Sequence, residues 1–291
     1  MVVAAGALWG CISLFVRCMN AAGLTSADIS LVRMAVGAAG MAVVLLVADR
    51  SLFKIRLRDV WLFIGTGMIS VTLFNVCYFQ CIQLSEASIA VVLLYTSPIW
   101  VMLLSAVLFH ERITARKLVA LALTFVGCVL VAGVLGGSVQ LTPAALAIGL
   151  ASGFFYATYS LFGRVALQRY STMTITFYTF LAGFICSLVV AGPTHVVEVA
   201  ASQPSQLAVM AGIGICCTII PYLLYTKGLQ GMETGRAAIL ATVEPLVGTL
   251  LGLFVYHESA GVLKIAGIVL IFAAVILLNL NTKSDKEKMS A

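Results

Sequence analysis

The chain has 291 residues, of which 62% are apolar and only 10% charged; its mean hydropathy is +1.12 and its formal net charge +6. A soluble domain carries about 25% charged residues to cover its surface, so a soluble globule is excluded, and the apolar content excludes disorder. No basic face interleaved with aromatics is present, so the positive balance implies no nucleic-acid partner.

A membrane-crossing helix needs about 20 mostly apolar residues, and ten such segments follow one another. The first, 2–20, carries Trp9 and Ser13; it lacks the basic start of a cleavable signal peptide and reads as part of the fold. Because it begins at residue 2, the sequence leaves open a segment before Met1. The second, 27–48, holds Arg33. After a basic stretch from Asp49 to Asp59 comes 59–82, with Asn75 and Tyr78, and then 87–109, with Tyr95, Ser97 and Pro98. The fifth, 115–135, is plain. The sixth, 143–167, repeats an aromatic–serine pair as Tyr156 and Ser160, and 172–192 follows it. A break with Pro193 and Pro204 leads to 206–228, which contains Pro221, Tyr222 and Tyr225. The ninth, 235–256, has Glu244-Pro245 at its centre, and the tenth is 260–280. The expected fold is an all-α integral membrane protein.

Ten crossings put both ends of the chain on one face. Fourteen of the 17 Lys and Arg fall on that face; Arg17, Arg33 and Lys264 fall on the other. Positive charge marks the cytoplasmic side, so the expectation is a multi-pass protein of the plasma (inner) membrane with both termini cytoplasmic. The eight cysteines lie in or beside apolar segments without metal-ligand spacing and read as small packing residues, with no metal and no cofactor expected.

Shifted by 147 residues, the chain matches itself without a gap. Ser13-Leu14-Phe15 meets Ser160-Leu161-Phe162, Arg17 meets Arg164, Tyr78 meets Tyr225, Glu86 meets Glu233, Pro98 meets Pro245, His110-Glu111 meets His257-Glu258, and Lys117 meets Lys264. Residues 1–137 and 138–281 are thus read as two five-helix repeats, with 282–291 a cytoplasmic tail. Five is odd, so the second repeat enters the membrane from the opposite side. Such inverted repeats, with interrupted helices in matching positions, are the architecture of secondary transporters working by alternating access.

The stretches from Ala87-Ser88 through Tyr95-Thr96-Ser97-Pro98 to His110-Glu111, and from Gly235-Arg236 through Glu244-Pro245 to His257-Glu258, carry a family likeness. With Trp9-Gly10 and Arg33, they resemble the drug/metabolite transporter superfamily, EamA type, over essentially the whole chain. The resemblance implies secondary transport without nucleotide hydrolysis. Relatives export amino acids, metabolites and drugs, and some import. The expected function is export of amino acids or related amphipathic solutes, not enzymatic catalysis. The competing readings are a carrier of lipid-linked or sugar-type substrates, a membrane-embedded enzyme and a channel. The aspartates are too dispersed for the enzyme, and a fixed pore does not need inverted repeats with broken helices. Expected partners are a small-molecule substrate and the bilayer, with a homo-oligomer left open.

An ionised group at mid-membrane is costly and marks a cavity or a partner, so Glu244 is the candidate for solute binding and for proton coupling. Its repeat mate is Ser97, which makes the pair asymmetric in charge. Pro98, Pro245 and Pro221 are the candidate helix breaks. Trp9, Ser13, Asn75, Tyr78, Tyr95, Ser97, Tyr156, Ser160, Tyr222 and Tyr225 recur at helical spacing and are the candidate substrate-binding set with Glu244. Ordinary interhelical packing is the competing reading. Arg33 and Glu86 are the candidate outer gate, against snorkelling or an Arg33–Asp28 staple. Glu111 and Glu258 read as helix-end caps. Gly6/Gly10, Gly149/Gly153 and Gly248/Gly252 read as close helix contacts.

Overall fold

In the computed structural model, which describes residues 1–85, 87–134, 142–257 and 261–279, the described chain is helical throughout. Ten helices are long and apolar enough to cross a membrane: α1 Val2–Ala21, α2 Ser26–Ala48, α3 Leu57–Leu84, α4 Ala87–Phe109, α5 Ala115–Ala132, α6 Pro143–Ala166, α7 Thr172–Ala191, α8 Ser205–Leu229, α9 Thr234–Phe254 and α10 Val262–Asn279. Their ends fall within a few residues of the sequence expectation. Val47, Val107, Val189 and Phe254 lie exposed on the outside, while Asp28, Asp59, Lys117 and a run of threonines are buried inside. This reversal of the soluble pattern matches a chain whose solvent is hydrocarbon.

The break predicted between the seventh and eighth spans instead contains a short helix, Thr194–Ser202, packed by Val199 against Met19, Leu24 and Ile29. His195 Nδ1 lies 2.8 Å from Asp28 Oδ2, and Asp28 also accepts from the Thr25 hydroxyl in the capping box that opens α2. Asp28 is therefore held by Thr25 and His195, not by Arg33.

Helix contacts run through glycine. Gly127 of α5 and Gly267 of α10 face each other: an added Cβ at Gly267 would stand 2.6 Å from the Gly127 carbonyl oxygen. Gly6 and Gly10 of α1 bring that helix onto α9, and Gly153 of α6 meets the backbone of α4.

Several spans are interrupted. α4 is divided at Tyr95–Thr96 into Ala87–Leu94 and Ser97–Phe109. α9 is divided at Thr242 into Thr234–Ala241 and Val243–Phe254. Pro98 and Pro245 each stand in the first turn of the segment after the break, where a missing N–H leaves no intrahelical bond unmade. Pro221 likewise begins Ile220–Leu229.

The segment preceding Pro221, Ile215–Ile219, is π-helical, and so is Ile64–Leu73 in α3. Thr218 Oγ1 donates to the Ile213 carbonyl and Thr72 Oγ1 to that of Gly67, so each hydroxyl satisfies a carbonyl inside its widened turn. The residues from Met68 to Thr72 are the 147-shift equivalents of Ile215–Ile219.

Candidate functional site

The breaks in α4 and α9 open onto one cavity of about 580 Å³, part of it continuous with the outside. Seven aromatic rings form its walls: Trp9, Phe74, Tyr95, Tyr156, Tyr159, Tyr222 and Tyr225. They lock one another. Trp9 stacks at 5.4 Å on both Tyr222 and Tyr225, Tyr159 at 5.1 Å on Tyr222, and Phe74 at 5.1 Å on Tyr156. Offset and edge-on rings at such distances hold rigid, amphipathic walls.

Polar groups are few, and some are already committed. The Tyr159 hydroxyl pairs with Thr226 and the Tyr225 hydroxyl with Ser160, both at 2.7 Å. The hydroxyls of Tyr95, Tyr156 and Tyr222 and the Glu244 carboxylate make no hydrogen bond to another described residue. Among the described residues, Glu244 is the only ionisable acid or base in the lining besides the tyrosines. It sits in the first turn of Val243–Phe254, where the positive end of the helix dipole favours a carboxylate.

Eight of the candidate substrate-binding residues line this cavity: Trp9, Tyr95, Ser97, Tyr156, Ser160, Tyr222, Tyr225 and Glu244. Pro98 joins them. Three lie off it. α1 is broken at Cys11, and beyond that break the Ser13 hydroxyl turns back onto the Gly10 carbonyl. Asn75 donates to Ser30 and to the Val71 carbonyl, lining a smaller crevice with Thr72 and Ser187. Tyr78 stacks on Phe74 and Phe79. Ser70, Phe74, Tyr159 and Thr242 line the cavity without having been singled out in the sequence. Tyr159 stands three residues after Tyr156, so the helical period itself carried that signal.

Arg33 donates from Nε to Thr218 Oγ1 at 3.1 Å. Thr218 precedes Tyr222 by one helical turn, so Arg33 stands behind the aromatic wall, within electrostatic reach of Glu244. Its candidate gate partner Glu86 lies outside the described residues, as do Glu258, the residue 137/138 boundary and the tail 282–291.

Helix ends on the face where the described chain starts and finishes are tied to one another by side chains. His110 closes α4 in a left-handed conformation, φ 55°, and the turn aims the next side chain across the protein. Glu111 there accepts from the N–H groups of Thr234 at 2.7 Å and Gly235 at 3.1 Å, capping α9. The expected cap is thus real but serves another helix. Buried Lys117 pairs with Glu233 at 2.7 Å and donates to the Arg112 carbonyl at 2.8 Å. Arg164 grips the Leu229 and Met232 carbonyls, and Arg169 and Tyr170 hold buried Asp59. His257, the repeat equivalent of His110, is the other non-glycine residue with positive φ among the described residues.

Burial pushes the Glu111 carboxyl up, but the N–H bonds from Thr234 and Gly235 and the Lys117 charge outweigh it and hold it below the ordinary 4.5. A depressed carboxyl adds stability above its unfolded pKa and loses it as pH falls through the lower folded value. Resistance to thermal unfolding in detergent is therefore expected to weaken below about pH 4.5. Glu111→Gln should be less stable at neutral pH and should lose less on acidification. Parallel acid limbs for the two proteins would show that Glu111 does not contribute this term.

Two stretches of the chain, 1–133 and 143–280, match the sequence profile of the EamA-like transporter family. An uncharacterized transporter of Archaeoglobus fulgidus is 30% identical over 205 residues, covering 69% of this chain and 70% of that protein. A Salmonella typhimurium protein named a probable amino-acid metabolite efflux pump is 25% identical, covering 66% and 67%. A solved crystal structure superposes with a TM-score of 0.79 over 96% of this chain and 95% of its own at 18% identity, a likeness of fold.

Proposed function

The chain belongs to the EamA-like transporter family, and from that premise we propose that it is a secondary exporter of small amphipathic organic solutes bearing an ammonium group, amino acids and related metabolites. The observation that carries this is the cavity: aromatic walls with Glu244 as the one carboxylate, placed where two membrane helices break. An ammonium is matched by the carboxylate and by the faces of Trp and Tyr rings, while an apolar body is matched by the rest of the wall. A relative named a probable amino-acid metabolite efflux pump supports the same class.

The two halves work as inverted repeats around this site. Several packing contacts support that reading. An added Cβ at Gly6 would meet the Ala241 carbonyl oxygen at 2.6 Å, and one at Gly153, its 147-shift equivalent, would meet the Leu94 carbonyl oxygen at 3.2 Å. Ala241 and Leu94 are themselves equivalents. Each half thus presses its first helix onto the broken helix of the other. Movement between faces is a rocking of these halves, with the side-chain ties at the terminal face made and broken as they rock. That face is cytoplasmic by its basic residues, in the plasma membrane, and Glu244 is the group placed to exchange a proton for the solute.

The test is uptake into proteoliposomes with an internal pH dye, offered amines, amino acids and carboxylates without an amino group. Ammonium-bearing solutes are expected to move and to shift internal pH, and the simple carboxylates to be excluded. Carboxylates entering as well as amines would overturn the assignment of Glu244 as the solute contact.

A further inference from the structure

The cavity holds two helix N-termini, and only one is matched by an acidic side chain. Glu244 occupies the first turn of Val243–Phe254, whereas Ser97–Phe109 carries no acidic residue in its first turn and no side-chain cap. By the 147-residue shift, Ser97 stands where Glu244 stands in the other half. The donors at this end can be counted. Pro98 has no N–H. The N–H groups of Ile99 and Trp100 bond the Thr96 carbonyl, and the Thr96 hydroxyl is spent on the Leu93 carbonyl at 2.6 Å. The Ser97 N–H has no backbone acceptor among the described residues.

The side chains add a separate observation. Ser97 is 4% exposed and Tyr95 9% exposed, both line the cavity, and neither hydroxyl has a hydrogen-bond partner among the described residues. Neither oxygen is among the fully buried atoms left without a partner, so both hydroxyls are open to the cavity and free to bond a solute. The two stand beside an uncapped helix start. Donors converging on the positive end of a helix, in an apolar enclosure, fit an anion.

We propose that the N-terminus of the half-helix Ser97–Phe109, with the Ser97 and Tyr95 hydroxyls, is a carboxylate subsite facing Glu244, so that the cavity takes small zwitterions, α-amino acids as a class, in preference to simple amines. The ammonium goes to Glu244, the carboxylate to Ser97, and the side chain to the aromatic wall. The charge asymmetry between the halves becomes the polarity of the solute. Repeat equivalents that both bore a carboxylate would instead suit a dication. This inference rests on the cavity being the transport site.

The experiment compares phenylalanine with phenethylamine, and leucine with isopentylamine, in proteoliposomes carrying wild type, Ser97→Ala or Ser97→Asp. Each pair differs only in the carboxylate. Wild type is expected to favour the amino acid at least tenfold. Ser97→Asp, which fills the subsite with its own carboxylate, should cut the amino-acid-to-amine ratio at least tenfold. Ser97→Ala, the milder change should the aspartate prevent folding, should cut it several-fold. A wild-type preference for the amines, or a ratio that neither variant changes, overturns the carboxylate subsite while leaving ammonium transport standing. Movement of neither member of a pair by wild type overturns the transport reading itself, and the subsite with it.

Discussion

Glu244→Gln is expected to lower transport of an ammonium-bearing solute about 10- to 100-fold while the protein stays folded. A hydrogen bond to a charged partner contributes roughly 1.5–3 kcal/mol, which corresponds to that range. Glutamine keeps the shape and one acceptor oxygen but loses the charge. The substitution is tolerable to the fold because the carboxylate bonds no other described residue; what it loses is a contact with the solute and the favourable placement at a helix start. The measurement is initial uptake rate against solute concentration, beside a melting curve of each protein. A folded variant with wild-type rates for amines and amino acids would remove Glu244 from the binding contact. Retained solute movement with loss of the internal pH change would assign it to proton exchange alone.

Gly10→Val and Gly153→Val are expected to prevent accumulation of folded protein, or to cost about 3 kcal/mol or more where some survives. A Cβ at Gly10 would stand 2.6 Å from the Glu244 carbonyl oxygen and 2.7 Å from Val247 Cβ; one at Gly153 would stand 2.6 Å from Thr96 Oγ1 and 2.8 Å from the Leu93 carbonyl oxygen. The obstacle is largely backbone at a helix break, which cannot swing aside like the end of a flexible side chain. Gly133, with open space around its Cβ position but φ +75°, is the contrasting site: there alanine pays only for a left-handed backbone, about 1–2 kcal/mol. Monomer yield in a mild detergent and thermal melting separate the two classes. Equal yields of Gly153→Val and wild type would show that α4 and α6 can part without loss of the fold.

The ten spans were legible because length and apolarity fix them, and their ends came out within a few residues. The helix Thr194–Ser202 was not, since two prolines and polar neighbours hide a segment stabilised by packing on Met19 and Leu24. Helical spacing found most of the cavity wall but failed where a helix is irregular. Tyr225 reaches the cavity while its equivalent Tyr78 stays off it, and α3 carries a ten-residue π segment where α8 carries five. Extra residues per turn rotate everything downstream, so Phe74 faces the cavity and Asn75 faces Ser30. Ser13 departs from Ser160 for a similar reason: α1 bends at Cys11, whereas α6 runs unbroken from Pro143 to Ala166. A period assumes a straight helix, and tertiary contacts decide where helices are not straight. Glu111 reads from the sequence as a helix-end cap without a stated target; that its carboxylate reaches the start of α9 depends on the left-handed His110, which nothing in the residue type announces.

The grip of Glu111 on Thr234 and Gly235 has a mechanical consequence. The segment it holds, Thr234–Ala241, is eight residues long, a stiff rod of about 12 Å. One end is pinned at the membrane surface, and the other ends at Thr242, beside the carboxylate in the cavity. Tilting the pinned end therefore displaces the cavity end through the rod's own hydrogen-bonded backbone, with no relay of side chains in between. Surface and cavity are the two arms of one lever, and Thr242 is its joint.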